Sequence, residues 1–560
     1  MICRNKDNRT SHYHPPNLGE KNHEVMGEVN IQIICRDDGL PRPVFLSSHF
    51  PHSDFFSFFL FKNPYTSHNF KSSIKTMPFS QKFTIYNTLT RQKEIFQPLF
   101  DEGKKDFVGI YSCGPTVYRD PHIGNLKAVC FADMLRSTIR DILGYPVKHV
   151  MNLTDVGHLT DDGNDGEDKM EKGARRENKT VWELAEIYIA KFYHCLDSLH
   201  VERFDVMPRA TDHIKEQIEM IKVLEEKGYT YTIEHDGIYM DTSKVEEYGK
   251  LAQLEKQDLK AWARVQNDQK KNITDFALRK FSPKDQKRQM ERDSPWWMGF
   301  PGRHIECSAM ASKYLGTQFD LHTGGVDHIP VHHTNEIAQS ECCFDVHPRV
   351  KYRMHEQYLN LWGKKLSKSA WGLITLDALE AAGFSGLDLK MLFFTAQYRN
   401  FLDYNEEILR QAQTQRKNLK KKLSSQNFPL FEGTAEEVEK QLTTEEGKTF
   451  FQKCLSSILD DLNTPKLLAE ISTAIRTENE EILGIINWLD IVFFKLELGK
   501  KEEKSDLPLE IPENIKTLAE QRFQAKQEKN YALADELRNQ IQAEGFQVKD
   551  VPGGYEIVNQ

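Results

Sequence analysis

Residues 107–112, Phe-Val-Gly-Ile-Tyr-Ser, run apolar without alternation. That pattern predicts a strand buried on both faces, as in a parallel sheet. The turn Cys113-Gly114-Pro115-Thr116 follows it. Pro121 then stands where a helix starts and Gly144 where it stops. Between them Leu126, Val129, Met134, Leu135, Ile139 and Ile142 recur at helical spacing. A second strand is predicted over 147–152, so the segment reads as a βαβ unit of a doubly wound sheet.

A short strand is predicted over 83–87. Residues 160–179 are charged and Gly-bearing, and predict a surface loop. Helical patterns run over 180–200 and 211–228. Residues 229–300 are mixed, with a β-like 237–240 and a charged stretch over 284–293. Apolar sequence returns at Trp296 and lasts to about Leu376. Beyond 385 the pattern is helical and highly charged, including the basic run 416–422. A break near 500–505 reads as a linker. The tail predicts helices over 512–528 and 531–544, then Gly545 and a small β end. No internal repeat is present.

Residues 1–76 differ, being rich in Asn, His, Ser, Pro and Phe without a sustained period. They read as a disordered extension, or as translated sequence upstream of the true start. Glu20, Glu24, Glu28, Asp37 and Asp38 argue against a secretory or transit segment. Organelle targeting is the alternative. Met77 opens the first domain-like segment.

Composition narrows the class. At roughly 150 residues per domain, 560 residues predict three or four domains. Lys and Arg number 74 against 83 Asp and Glu, a net charge of −9. An acidic total speaks against a uniformly basic surface, yet nucleic acid needs only a local patch. The nine cysteines are odd in number, widely spaced and without a CxxC. A reducing, cytoplasmic setting is expected. The apolar run 55–61 falls short of the about 20 residues that span a bilayer, so no membrane is expected.

Four constellations carry candidate chemistry. His122-Ile123-Gly124-Asn125 lies between strand and helix, where unpaired N–H groups attract phosphate; the plain alternative is a polar helix cap. Lys364-Lys365-Leu366-Ser367-Lys368-Ser369 offers ammonium groups to phosphates on a flexible loop, or else is a solvated basic loop. Gly324-Gly325-Val326-Asp327 can bring backbone near a nucleoside with a carboxylate on a hydroxyl, or is a simple turn. His332 and Glu336 share a helix face, and with Cys113 and Cys307 make a plausible tetrahedral Zn²⁺ set. His322, His328 and His333 are competing ligands, and the two cysteines could equally be core residues.

The His-x-Gly turn and the lysine loop together form the signature pair of class I aminoacyl-tRNA synthetases. From about residue 83 onward the chain resembles cysteinyl-tRNA synthetase. The motifs are Tyr-Ser-Cys-Gly-Pro-Thr-Val-Tyr (111–118), His-Ile-Gly-Asn (122–125), Asn-Leu-Thr-Asp (152–155), Pro-Gly-Arg-His-Ile-Glu-Cys-Ser-Ala-Met (301–310), His-His-Thr-Asn-Glu-Ile-Ala-Gln-Ser (332–340) and Lys-Leu-Ser-Lys-Ser (365–369). Asp460-Asp461-Leu462-Asn463-Thr464-Pro465 and Lys529-Asn530-Tyr531-Ala532-Leu533-Ala534-Asp535 resemble the family's C-terminal half.

The resemblance implies a Rossmann-like doubly wound parallel-sheet catalytic domain over 77–384, with a connective insertion at about 175–295 and the lysine loop at 364–369. A helical tRNA-binding domain over 385–500 and a small anticodon-contacting domain over 501–560 would follow. It implies one Zn²⁺ per chain on Cys113, Cys307, His332 and Glu336. His122, Asn125, Lys365 and Lys368 would be catalytic, with ATP and its Mg²⁺ held by His122, Gly124, Asn125, Gly324, Gly325, Asp327 and Lys368. The implied partners are L-cysteine, ATP and tRNA(Cys), and the implied state is a monomer. Asn125 replaces the motif's usual second His, Leu366 the usual Met, and Arg303 the usual Trp before His-Ile-Glu-Cys. A cysteine-activating ligase acting on an amino sugar is the rival, but it lacks the tail over 512–560.

Overall fold

The computed structural model describes residues 82–156, 169–253, 269–282, 289–361, 364–365, 374–501, 511–551 and 554–559. The extension 1–76 lies outside them, as does Lys368.

Four strands build the central parallel sheet: β1 (Val108–Ser112), β2 (Val147–Met151), β3 (Phe319–Gly325) and β4 (Val350–Glu356). Their order is β4-β3-β1-β2, and every pairing is parallel. All five residues of β1 are buried, as its unbroken apolar run requires. Helix α1 (Ile123–Ser137) joins β1 to β2 and ends in a π-helical turn, Thr138–Ile142. Helices α2 (Arg303–Leu315) and α3 (His332–Phe344) flank β3. The chain passes from β1 to β2 on one side and later returns to place β3 on the other. Such a reversal opens a crevice at the carboxyl ends of the strands.

Between β2 and α2 lies an antiparallel sheet of Thr230–Ile233, Gly237–Met240, Phe276–Phe281 and Gly299–Pro301, in that order. Met220, Ile221, Leu224, Ile238 and Leu278 form its core with Cys342 and Cys343 of α3. The stretch predicted as a loop over 160–179 is corrected in its second half. Lys169–Glu177 is a helix, with Met170 and Ala174 buried one turn apart; 157–168 lie outside the described residues.

Past the sheet, Leu359–Leu361 pairs on one edge with Leu402–Tyr404 and on the other with Lys364–Lys365. Helices Gly386–Phe394, Glu406–Ser424, Glu445–Leu459, Thr464–Ala474 and Glu480–Leu489 share one apolar core with the parallel sheet, from Phe83 to Leu498. The tail forms helices Glu513–Gln527 and Tyr531–Ala543 and a hairpin, Phe546–Val551 with Gly554–Asn559. Ile515, Ala519, Ile541 and Val548 give it a small core of its own. Among the described residues no helix is long and apolar enough to cross a membrane.

Candidate active site

A cleft of ≈ 620 Å³ opens at the carboxyl ends of the central strands. Cys113, His122, Asn125, Gly324, Asp327 and His332 all line it, together with Gly124 and Gly325. Residues scattered over more than 200 positions meet because β1 and β3 are neighbours. Cys113 follows the last residue of β1, and its N–H donates to Thr323 O of β3 at 3.3 Å.

One wall is rich in metal-binding side chains. Cys113, Cys307, His332 and Glu336 each present a donor atom, and these atoms lie within 4.8 Å of one another. Bonds to zinc of about 2.0–2.3 Å space the donors of a tetrahedron roughly 3–4 Å apart. Two sulfurs, one imidazole and one carboxylate of that compactness fit a zinc ion. His332 Nε2 stands 2.9 Å from Glu336 Oε1. The other faces are tied down: His332 Nδ1 lies 2.9 Å from His304 Nδ1, and Glu336 Oε2 lies 2.6 Å from His322 Nε2. Such outer contacts orient metal ligands.

A hydrogen bond from Cys113 holds the Cys307 thiol down at about 6 against burial, helped by His332. The same shared hydrogen bond and burial push Cys113 well above its usual range. Burial disfavours a charge on His332, but the Glu336 carboxylate and the Cys307 thiolate outweigh it and hold His332 up at about 10.

Cys113, His322, His333 and Glu336 form a second, overlapping group of donors. In it His333 is steadied by His355, Nδ1 to Nε2 at 2.7 Å, and His355 by Thr88 Oγ1 at 2.8 Å. The first group alone brings two thiolates, the softer ligand set that zinc favours. His322 is better placed to hold Glu336 than to replace His332.

The opposite wall is the start of α1. His122 is its N-cap. The imidazole Nδ1 accepts the Asn125 N–H at 3.2 Å, and Asn125 Oδ1 accepts the His122 N–H at 3.2 Å. This reciprocal pair is a capping box. The geometry is that of the cap alternative, and Asn125 suits the cap in place of a His. Burial, with Arg119 nearby, lowers His122 to about 4. The imidazole is therefore neutral at neutral pH, and its accepting Nδ1 assigns the proton to Nε2.

Gly324 and Gly325 close β3 before the tight turn Val326–His328 that carries Asp327. A Cβ on Gly324 would stand 2.6 Å from His328 Nδ1 and 2.8 Å from His333 Cε1. Lys365 lies in the strand Lys364–Lys365. Arg303 opens α2 and lines the cleft.

Two features escaped the sequence patterns. Lys127, on α1, pairs with Glu356 at the end of β4 at 3.1 Å, both side chains nearly fully buried. Its Nζ also donates to Gln357 O at 2.7 Å. The single hint was a lysine inside an apolar helix stretch. The basic run 416–422 is also not uniformly outward. Arg416 turns in to Asp388 at 2.8 Å, whereas Lys417, Lys421 and Lys422 are exposed.

Comparison with known proteins shows the family. The family model described as tRNA synthetases class I (C) catalytic domain matches residues 99–414. Cysteine--tRNA ligase 1 of Burkholderia lata is 40% identical over 476 residues, covering 84% of this chain and 96% of its own. Cysteine--tRNA ligase of Treponema denticola is 40% identical over 489 residues, covering 84% of this chain and 98% of its own. Among solved structures, Mycobacterium tuberculosis methionyl-tRNA synthetase in complex with methionyl-adenylate overlays with a TM-score of 0.47 at 13% identity, covering 70% of this chain and 88% of that one. The chain belongs to the cysteine--tRNA ligase family of class I aminoacyl-tRNA synthetases.

Proposed function

We propose that this protein ligates L-cysteine to tRNA(Cys) in two steps, through a cysteinyl-adenylate. One observation carries the reading. Four donor atoms lie within 4.8 Å of one another, and two of the residues that bear them, Cys113 and His332, line the same cleft that the α1 cap opens into.

The cysteine carboxylate attacks the α-phosphate of ATP, and pyrophosphate leaves. The Gly124 N–H at the first turn of α1 and the Nε2–H of neutral His122 donate to phosphate oxygens as their charge grows. Asn125 keeps that turn in its capped shape. Lys365 and Lys368 bring point charges to the departing pyrophosphate, whose Mg²⁺ arrives with ATP. Gly324 and Gly325 leave room for the nucleoside, and Asp327 accepts from a ribose hydroxyl. Cys113, Cys307, His332 and Glu336 would hold zinc, and the bound ion would supply an affinity for sulfur that serine and alanine cannot match. His322 and His304 keep Glu336 and His332 aimed at it.

The terminal hydroxyl of the tRNA then takes the cysteinyl group from AMP. The chain divides into catalytic, helical and C-terminal parts at 77–384, 385–500 and 501–560, and acts as a monomer in the cytoplasm. Exposed Lys417, Lys421 and Lys422 give the helical part a local positive face despite the net charge of −9. The test is charging of total tRNA with labelled cysteine beside an amino-sugar acceptor. Label in tRNA is expected; label in the amino sugar with none in tRNA would overturn the reading.

A further inference from the structure

The segment 460–465 lies in sequence far from the site and packs against Tyr86, Gln397, Tyr398 and Arg399. Asp461 is fully buried and has a left-handed backbone, φ 58°, as does the next residue, Leu462, φ 57°. Left-handed backbone at two successive non-glycine residues is held only where surrounding contacts over-determine it. Those contacts converge on the Asp461 carboxylate. Oδ1 accepts from Tyr398 OH at 2.7 Å and from the Tyr86 N–H at 2.9 Å. Oδ2 accepts from Arg399 Nε at 2.8 Å and from Gln397 Nε2 at 3.2 Å. The Asp461 N–H donates to Thr84 O at 2.9 Å.

Tyr398 connects this carboxylate to both halves of the cleft. Its ring stacks on Phe131 of α1, centroids 4.5 Å apart and planes 17° from parallel. Its carbonyl accepts the Gln357 N–H at 2.8 Å. Gln357 is the residue whose carbonyl Lys127 of α1 also grips. Two residues later the chain enters Leu359–Leu361, which pairs with Lys364–Lys365. The helix capped by His122 and the strand carrying Lys365 are thus braced against one residue, and Asp461 braces that residue.

We propose that Asp461 is a positioning residue for adenylate formation: through Tyr398 it fixes the Lys365 strand relative to α1. The inference rests on the proposed role of Lys365. Asp461 touches no substrate, so its effect runs through the lysine strand, and a loss there should not compound with removal of the lysine itself.

The test uses the full chain with Asp461→Asn, Tyr398→Phe and Lys365→Ala, alone and combined, in cysteine-dependent ATP–pyrophosphate exchange normalised to titrated active sites. Tyr398→Phe keeps the ring stack and removes only the hydroxyl, so it carries the test should Asp461→Asn not fold. Asp461→Asn should lower kcat about 10- to 50-fold and Tyr398→Phe about 5-fold, in line with the penalty for small misplacements. KM for cysteine should stay within about twofold, because the metal wall is untouched. Either variant combined with Lys365→Ala should be little worse than Lys365→Ala alone. Losses that multiply in the combined variants, or a KM for cysteine that rises in step with the fall in kcat, would overturn the inference. So would normal exchange in both Asp461→Asn and Tyr398→Phe while Lys365→Ala is impaired. A wild-type chain without cysteine-dependent exchange would instead overturn the functional reading itself.

Discussion

Gly114→Ala is a small change with a large expected effect. A Cβ at 114 would stand 1.7 Å from Asn152 O, where ordinary contact begins at 3.4 Å. About 1.7 Å of movement must therefore be found between the two segments. Neither can yield harmlessly. Gly114 directly follows Cys113, and its N–H donates to Asn152 Oδ1 at 3.0 Å. The same Oδ1 lies 3.8 Å from Cys307 Sγ. Movement of one side drags Cys113 and movement of the other disturbs Cys307, so the donor set opens. Overpacking of this kind costs about 1–3 kcal/mol of stability. Misplacing a reacting group by about 1 Å costs about 100-fold in rate. The variant should thus melt several degrees lower, bind less zinc per chain and lose at least about 100-fold in pyrophosphate exchange. Gly554→Ala, where a Cβ meets nothing within 4 Å, is the control. Wild-type zinc content and rate in Gly114→Ala would refute the reasoning.

Three further outcomes are expected. Lys127→Met strands the buried Glu356 carboxylate and should cost about 3–5 kcal/mol by thermal melting, whereas Lys127→Met with Glu356→Leu should recover most of it; no recovery would show that the pair is not the source. Burial pushes Asp490 up to about 6, against hydrogen bonds from the Leu496 and Leu498 N–H groups. A carboxyl raised on folding contributes stability below its unfolded value near about 4, and loses it as pH rises through about 6, on the order of 3 kcal/mol. The wild-type melting midpoint should therefore fall relative to that of Asp490→Asn between pH 4 and 7, and parallel curves would contradict this. Ending the chain at 501 removes a tail with its own core and should spare pyrophosphate exchange while weakening tRNA charging, as initial rates of both would show.

What was legible in the sequence followed from local physics. Strand β1 and helix α1 could be read because an unbroken apolar run, a proline and a glycine mark them. The helix Lys169–Glu177 was missed because Lys, Arg and Gly crowd it. Gly173 there is no loop signal: a Cβ would meet Leu184 Cδ2 at 2.8 Å, so the glycine permits close packing of two helices. Residue chemistry made Cys113, Cys307, His332 and Glu336 a plausible donor set, but resemblance was needed to prefer them to His322, His328 and His333. Spacing could not assemble them, since the order of the sheet does. The supports were not legible: His322 on Glu336, Lys127 on Glu356 and Tyr398 on Asp461 each join elements that only the folded chain brings together.

The central claim is that this cleft activates cysteine through a donor set holding zinc. The most direct measurement is ATP–pyrophosphate exchange with cysteine or serine, on protein of known zinc content, for the wild type, Cys113→Ser and Cys307→Ser. The account predicts about one zinc per wild-type chain and exchange with cysteine but not serine. Both variants should lose zinc and exchange together. Exchange that proceeds equally well with serine, or at full rate in metal-free protein, would contradict it.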